Sequence, residues 1–111
     1  MRKGRIHVSD RAAGILTEDE YGYHFAYDED YLLDAQSEPV SLTMPKRKEV
    51  YDSNILFPFF DGLIPEGWLL GVAERNWKIR RNDRMGLLLA CCRDCIGNVR
   101  VEPMESMEER V

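Results

Sequence analysis

The chain has 111 residues and a formal net charge of −5; 44% of its residues are hydrophobic and 32% are charged. This length fits one domain, and the composition is that of a globular protein rather than a disordered one. The longest uninterrupted apolar run covers only residues 87–92, so no membrane span is expected. No apolar segment follows the basic N-terminus, which argues against a signal peptide.

The first part of the chain, from Arg5 to Pro45, has the period-two alternation that is typical of strands. A turn is predicted at residues 9–11 and a polar tip at residues 17–20. The clearest strand covers residues 21–27, where aromatic residues alternate with small or polar ones. A further strand is predicted over residues 40–44 between two prolines, because proline cannot donate to a ladder.

From Asp52 onward the pattern becomes helical. Residues 52–54 (Asp-Ser-Asn) are capping residues and predict a helix start just before Ile55. Pro58 then falls in the first turn, where its missing N–H costs little, and the helix is expected to end near Gly62.

A second helix is expected to begin at Pro65, and a third, apolar nearly all round, to cover residues 83–92. An extended segment resumes at Gly97. These elements predict an α+β fold, in which a small, strongly twisted antiparallel sheet is packed by two or three helices. The expected domain covers residues 3–103, followed by an acidic flexible tail at residues 104–111.

Three cysteines, Cys91, Cys92 and Cys95, lie within five positions of each other. An odd number of closely spaced cysteines argues against a disulfide framework and indicates a reducing compartment, so a cytoplasmic protein is expected. Their C-x-x-C pair supplies too few ligands for structural zinc, and the two histidines are not at ligand spacing. We therefore expect no metal and no cofactor, and interpret Cys91 and Cys92 as core residues.

No catalytic motif is recognisable. His7 and His24 have no serine or cysteine partner in a nucleophile motif, and no phosphate-cradling or kinase motif occurs. The sequence therefore predicts a protein that is not an enzyme.

Positive charge is concentrated at residues 46–48 and in a basic elbow at residues 78–84. Lys78, Arg80 and Arg81 of the elbow are candidate phosphate or rim contacts. Because the whole chain is acidic and has no DNA-reading motif, a solvated helix–helix connection is favoured. Any contact with DNA is expected to be indirect or weak.

The stretch FPFFDGLIPEGWLL, residues 57–70, is apolar but broken by prolines and glycines. Most of its aromatic residues are interpreted as core, as is the later Trp77. Trp68 lies at the edge of the predicted apolar arc, on a turn started by proline, which is the position of a binding anchor. The predicted partner-binding residues are the five consecutive positions Ile64, Pro65, Glu66, Gly67 and Trp68.

Five segments resemble, in order, the N-terminal subdomain of HipA-type toxin kinases. They are GILTED, YHFAYDEDYL, PVSLTMP, LFPFFDGLIPEG and CRDCIGNVRVEP. The similarity covers about residues 4–103, and its most specific parts are residues 41–45 and 59–66. The cysteines and the Pro-Glu-Gly-Trp sequence at residues 65–68 depart from the family pattern.

The resemblance implies a function. Full-length members are serine/threonine kinases whose catalytic motifs lie beyond this segment. A free-standing copy resembles the HipS-like antitoxin of split HipBST-type bacterial systems. It implies a non-enzymatic antitoxin or accessory subunit that binds and restrains a HipA- or HipT-like kinase encoded nearby, with a HipB-like DNA-binding protein as a further partner. The alternative is a scaffold subunit of a toxin–antitoxin repressor–DNA complex.

Overall fold

The computed structural model describes residues 1–64, 83–91 and 98–104. Within these ranges five strands form one antiparallel sheet with the order β4-β3-β2-β1-β5. The strands are β1 (Arg2–Val8), β2 (Arg11–Asp19), β3 (Gly22–Tyr27), β4 (Tyr51–Ser53) and β5 (Val99–Met104). Three helices accompany them: α1 (Glu29–Leu33), α2 (Pro58–Asp61) and α3 (Arg84–Cys91). The α+β fold predicted from the sequence is confirmed.

Several local predictions are confirmed as well. The turn at residues 9–11 joins β1 to β2, and both Ser9 (φ 50°) and Asp10 (φ 65°) have left-handed backbone conformations. Two such residues form the hairpin turn whose twist matches that of the flanking strands. Pro58 is in the first turn of α2, which is followed by Gly62, and α3 falls within the predicted residues 83–92.

The hydrophobic core combines one face of the sheet with the helices. Ile6 and Val8 of β1 share this face with Leu16 of β2 and Phe25 of β3, and all are buried. The helices contribute residues that are fully buried in the same cluster: Phe60, Met85, Leu87 and Leu88. Burial of one such side chain contributes about 1.5–3 kcal/mol, so this layer dominates the stability.

The strand predicted over residues 40–44 is wrong. A tight turn lies there instead, with a single bridge between Ser41 and Met44 and with Leu42 exposed at its tip. Val40 and Met44 are both buried, so their spacing in the turn places both in the core. The hydroxyl group of Tyr27 satisfies the backbone here, in place of a strand neighbour.

The helix start predicted at residues 52–54 is also wrong. These residues fall in and just after β4, which pairs Tyr51 with Phe25 and Ser53 with Tyr23. Ladder bonds and cross-strand packing on β3 outweigh the capping preference of the side chains, and the helix begins only at Pro58. Helix α1 was not predicted, because it has only five residues.

The predicted polar tip at residues 17–20 is shorter than expected. Strand β2 continues to Asp19, and the turn lies at Glu20 and Tyr21, so that Tyr21 is exposed rather than part of the aromatic strand face. At the other end, Met104 belongs to β5 and pairs with Lys3. The tail beyond Met104 lies outside the described residues, and the predicted domain boundary stays a prediction.

Candidate interaction surface

The structure places one of the five predicted partner-binding residues. Ile64 is 3% exposed and belongs to the hydrophobic core. Its side chain therefore has a structural role in the folded chain. The remaining predicted site residues lie outside the described residues, and their roles stay predictions: Pro65, Glu66, Gly67, Trp68, Lys78, Arg80 and Arg81. Trp77, Cys92 and Cys95 also lie outside the described residues.

Helix α2 holds the residues that precede the predicted binding segment. Phe60 is fully buried, and its ring centroid lies 5.5 Å from that of Phe25 on the sheet. The backbone N–H of Leu63 donates to the carbonyl of Phe60 at 3.0 Å, and that of Ile64 donates to the carbonyl of Asp61 at 3.2 Å. These two backbone hydrogen bonds therefore hold the residues that follow α2 against the core.

The start of α3 is attached both to α2 and to the sheet. Arg84 Nε donates to Asp61 Oδ1 at 2.6 Å, and the Arg2 guanidinium donates to both carboxylate oxygens of Asp83, at 2.9 and 2.7 Å. Arg2 also donates to Glu18 Oε1 at 2.7 Å. The charge-assisted bonds from Arg2 hold the pKa of Asp83 below its ordinary value, so this carboxylate stays ionised.

Asp83 also caps α3. Its Oδ1 accepts the N–H of Gly86 at 3.1 Å, and so satisfies one of the free donors at the start of the helix. Ile64 and Asp83, which border residues 65–82, are therefore both anchored: the first by burial and the second by a bidentate ion pair. The sequence pattern did not predict the contact of Arg2 with Asp83, because the two residues are 81 positions apart.

His24 forms a second charged cluster, on the sheet face opposite the core. Its Nδ1 lies 2.5 Å from Asp52 Oδ1 and its Nε2 lies 3.0 Å from Asp19 Oδ1. The bonds to Asp52 and Asp19 raise the pKa of His24, and both ring nitrogens are occupied. In the part of the chain that the structure describes, no hydrogen bond joins a histidine to a serine, threonine or cysteine, so the sites seen have no nucleophile–base pair.

The pKa of His7 is shifted in the opposite direction to that of His24. Its side chain is 14% exposed, and neither ring nitrogen has a hydrogen-bond partner among the residues that the structure describes. Burial, followed by the nearby charge of Arg100, lowers its pKa. Its Nε2 lies 3.5 Å from Glu102 Oε2, the nearest carboxylate seen. Across residues 1–64, 83–91 and 98–104, no three acidic, histidine or cysteine side chains form a group that could hold a metal ion.

None of the helices in the described ranges has the length and apolar character needed to cross a bilayer.

Comparisons with known proteins identify the family. The family model described as the HipA N-terminal domain matches residues 4–102. The fold is similar to a solved structure named as the N-terminal domain of HipA toxin, with a TM-score of 0.74, 30% identity and 96% of each chain covered.

Two curated proteins are also similar in sequence. An uncharacterized protein of Haemophilus influenzae is 33% identical over 102 residues, which is 92% of both chains. The putative kinase Y4mE of Sinorhizobium fredii is 42% identical over 57 residues, a match that covers only 14% of that protein. By sequence and by fold, the chain belongs to the HipA N-terminal domain family, which is linked to toxin–antitoxin systems.

Proposed function

We propose that this protein is a non-enzymatic antitoxin or accessory subunit that binds and restrains a HipA-like serine/threonine kinase. The family match supports the toxin–antitoxin context, and the matched domain is the N-terminal domain rather than the catalytic part of the kinase. In the putative kinase Y4mE the matched segment is a small part of a longer protein. A domain of this kind suits docking against a kinase body supplied by a second chain.

The observation that carries the proposal is the anchoring at both borders of the segment that contains Trp68. Ile64 is buried on α2, and Asp83 is held by Arg2 on β1. Fixed borders reduce the conformational entropy that a binding segment loses when it contacts a partner. In this proposal Trp68 inserts its ring into the kinase, Pro65 and Gly67 shape the turn, and Glu66 meets a basic rim.

The test is the substitution Trp68→Ala in the full chain, assayed against the kinase encoded nearby. A central tryptophan typically contributes at least about 2 kcal/mol to binding, which corresponds to roughly thirtyfold weaker affinity. We expect the variant to keep its circular dichroism spectrum and its melting temperature within a few degrees, yet to fail to neutralise the kinase.

The matched control is Trp77→Ala, in which the other tryptophan is removed from a position predicted to be core. This variant is expected to lose roughly 3–5 kcal/mol of stability, as a cavity-forming change does. A Trp68→Ala variant that unfolds, or that restrains the kinase at the wild-type concentration, would contradict the proposal.

A further inference from the structure

A second surface with the properties of a docking site lies in the connection between α1 and β4. At its centre is the turn at residues 40–44, where Leu42 is 97% exposed. The N–H of Met44 donates to the carbonyl of Ser41 at 3.1 Å, and the N–H of Thr43 donates to the Ser41 hydroxyl at 3.2 Å. The turn is closed by its own hydrogen bonds, with the leucine at its tip.

The turn is fixed to the core from both sides. The Tyr27 hydroxyl accepts a hydrogen bond from the Val40 N–H at 3.0 Å and donates one to the carbonyl of Met44. The ring of Tyr27 stacks on that of Tyr31, with centroids 6.1 Å apart. Leu42 is therefore presented in a defined position, and a partner that buries it would not have to order the turn first.

Tyr27, which holds the turn, also lines a cavity of about 300 Å³ together with Glu29, Leu32, Leu33 and Lys48. Leu33 is 74% exposed at the cavity wall. A single exposed leucine is ordinary on a protein surface. Here, however, exposed apolar side chains accompany a concave site with a lysine among its lining residues, an arrangement that can accept one apolar side chain of a partner.

The charges next to the turn are not neutralised. The Arg47 guanidinium lies 3.7 Å from the centre of the Tyr51 ring and donates to the carbonyls of Glu49 and Val50. Lys46 Nζ donates to the carbonyls of Asp34 and Ser37 and to the Ser37 hydroxyl.

These contacts distinguish residues 46–48 from the other described arginines. Within the described ranges, neither Lys46, Arg47 nor Lys48 forms an ion pair with a carboxylate, whereas every other arginine does: Arg2, Arg5, Arg11, Arg84 and Arg100. Positive charge is thus held in place by backbone carbonyls and an aromatic ring, and it remains available to an acidic partner.

We propose that Leu33, Leu42, Arg47 and Lys48 form a docking surface for an acidic segment of a partner protein that carries one large apolar side chain. The apolar side chain enters the cavity lined by Leu32 and Leu33, Leu42 contacts the rest of the segment, and the carboxylates meet the two cations. A nucleic-acid backbone would use the cations but would leave the leucines uncovered, which is why a protein segment fits better. The proposal uses none of residues 64–68 and does not depend on binding to the kinase.

The experiment begins with selection of short random peptides on the immobilised full chain, followed by fluorescence anisotropy with the enriched peptides. We expect enriched peptides to combine acidic residues with a large apolar residue. Their affinity should fall at least about tenfold in Leu42→Ser and in the double variant Arg47→Glu/Lys48→Glu. Trp68→Ala should bind these peptides normally, which distinguishes failure here from failure of the proposed kinase contact.

Two matched controls lie elsewhere on the surface. Ile55→Ser removes an apolar side chain that is 68% exposed, and Lys3→Glu reverses another lysine for which the described residues show no ion pair; neither should change the affinity. Amide shifts of the wild-type protein, measured by NMR during titration with a selected peptide, should be centred on residues 27–33 and 41–48.

Three results would overturn the inference: enriched peptides without acidic residues, amide shifts centred elsewhere, or equal binding by the variants and the wild type. Binding of a short DNA duplex that is lost in Arg47→Glu/Lys48→Glu but retained in Leu42→Ser would identify a phosphate-binding surface instead.

Discussion

The hydroxyl group of Tyr27 lies 3.0 Å from the amide nitrogen of Val40 and also donates to the carbonyl of Met44. Burial raises the pKa of this phenol to about 12, so it keeps its proton at any physiological pH. One side chain thus satisfies two backbone groups that a strand neighbour would otherwise satisfy. This is the physical reason that residues 40–44 form a turn.

The substitution Tyr27→Phe is expected to reduce stability by about 1–3 kcal/mol, because it leaves the buried Val40 N–H and Met44 carbonyl without a partner. Denaturant unfolding measures the loss, and hydrogen exchange should show reduced protection at Val40. Tyr31→Phe is the control: its hydroxyl is only partly buried and donates to one carbonyl, that of Glu38, so a smaller loss is expected. Equal losses for both variants would mean that the turn does not depend on Tyr27.

The two histidines are expected to titrate in opposite directions from the ordinary value of 6.5. The pKa of His24 is raised, so its stabilising contribution is complete below pH 6.5 and is lost as the pH rises through the raised pKa. The pKa of His7 is lowered, so its contribution is present above pH 6.5 and is lost as the pH falls through the lowered pKa.

NMR titration of the two imidazole Cε1–H signals checks this prediction. Asp52→Asn should lower the pKa of His24 towards 6.5 and leave that of His7 unchanged, because Asp52 is bonded to the ring of His24 and does not act on His7. The prediction fails if His24 titrates at a lower pH than His7.

At the scale of the elements, close contact between strands is made possible by Gly14 of β2. A Cβ atom added there would lie 2.3 Å from the carbonyl oxygen of Ala26 and 2.9 Å from Phe25 Cζ. Gly14 pairs with Ile6 on one side and with Tyr27 on the other, next to an irregular register between β1 and β2. The aromatic packing of β3 therefore occupies the space that a side chain at position 14 would need.

Gly14→Ala is expected to destabilise the fold by at least about 1–3 kcal/mol, since neither a backbone carbonyl nor a packed ring can move freely. Thermal or denaturant unfolding measures the change. Gly62→Ala is the control: Gly62 has a right-handed helical backbone, and its nearest neighbour would lie 3.3 Å from the added atom, so a change of less than about 1 kcal/mol is expected. A tolerated Gly14→Ala would show that β2 and β3 can separate without cost.

At the scale of the whole molecule, the net charge of −5 makes a general affinity for nucleic acid unfavourable. Most of the described cations are neutralised within the fold, as Arg2, Arg5 and Arg84 show. Among the described residues, the lysines and arginines for which no ion pair with a carboxylate is seen are Lys3, Lys46, Arg47 and Lys48.

The double variant Arg80→Ala/Arg81→Ala is expected to leave the proposed complex with the kinase intact at low salt. Its association rate and the salt dependence of that rate should both decrease, because exposed charges act mainly on encounter. Surface plasmon resonance at two salt concentrations makes the measurement, with Trp68→Ala as the contrasting variant. If the double variant does not bind the kinase even at low salt, the elbow has a central role in binding. If the double variant loses operator binding but still inhibits the kinase, the scaffold function is favoured.

Much of the fold follows from local sequence patterns. Three such patterns restrict the backbone over only a few neighbouring residues: the aromatic alternation of residues 21–27, the turn at Ser9 and Asp10, and the proline at the start of α2. The helix start predicted from the capping residues 52–54 was wrong, because their local preference for a helix start contributes less free energy than strand pairing with β3. For the candidate site, the sequence pointed to the segment that follows α2, but it did not show that Ile64 is buried.

The sequence by itself determined the class of fold and most strand and turn positions, because periodicity, proline and turn-forming residues restrict the backbone locally. The family was indicated by the resemblance of five sequence segments. Only the tertiary structure decided which apolar side chains are exposed and which form the core. Leu42 and Ile64 are both apolar, yet one is 97% exposed and the other 3%. The difference depends on groups distant in the chain: the Tyr27 hydroxyl that fixes the exposed turn, and the packed core that encloses Ile64. Such contacts depend on how remote segments meet, and no local pattern carries that information.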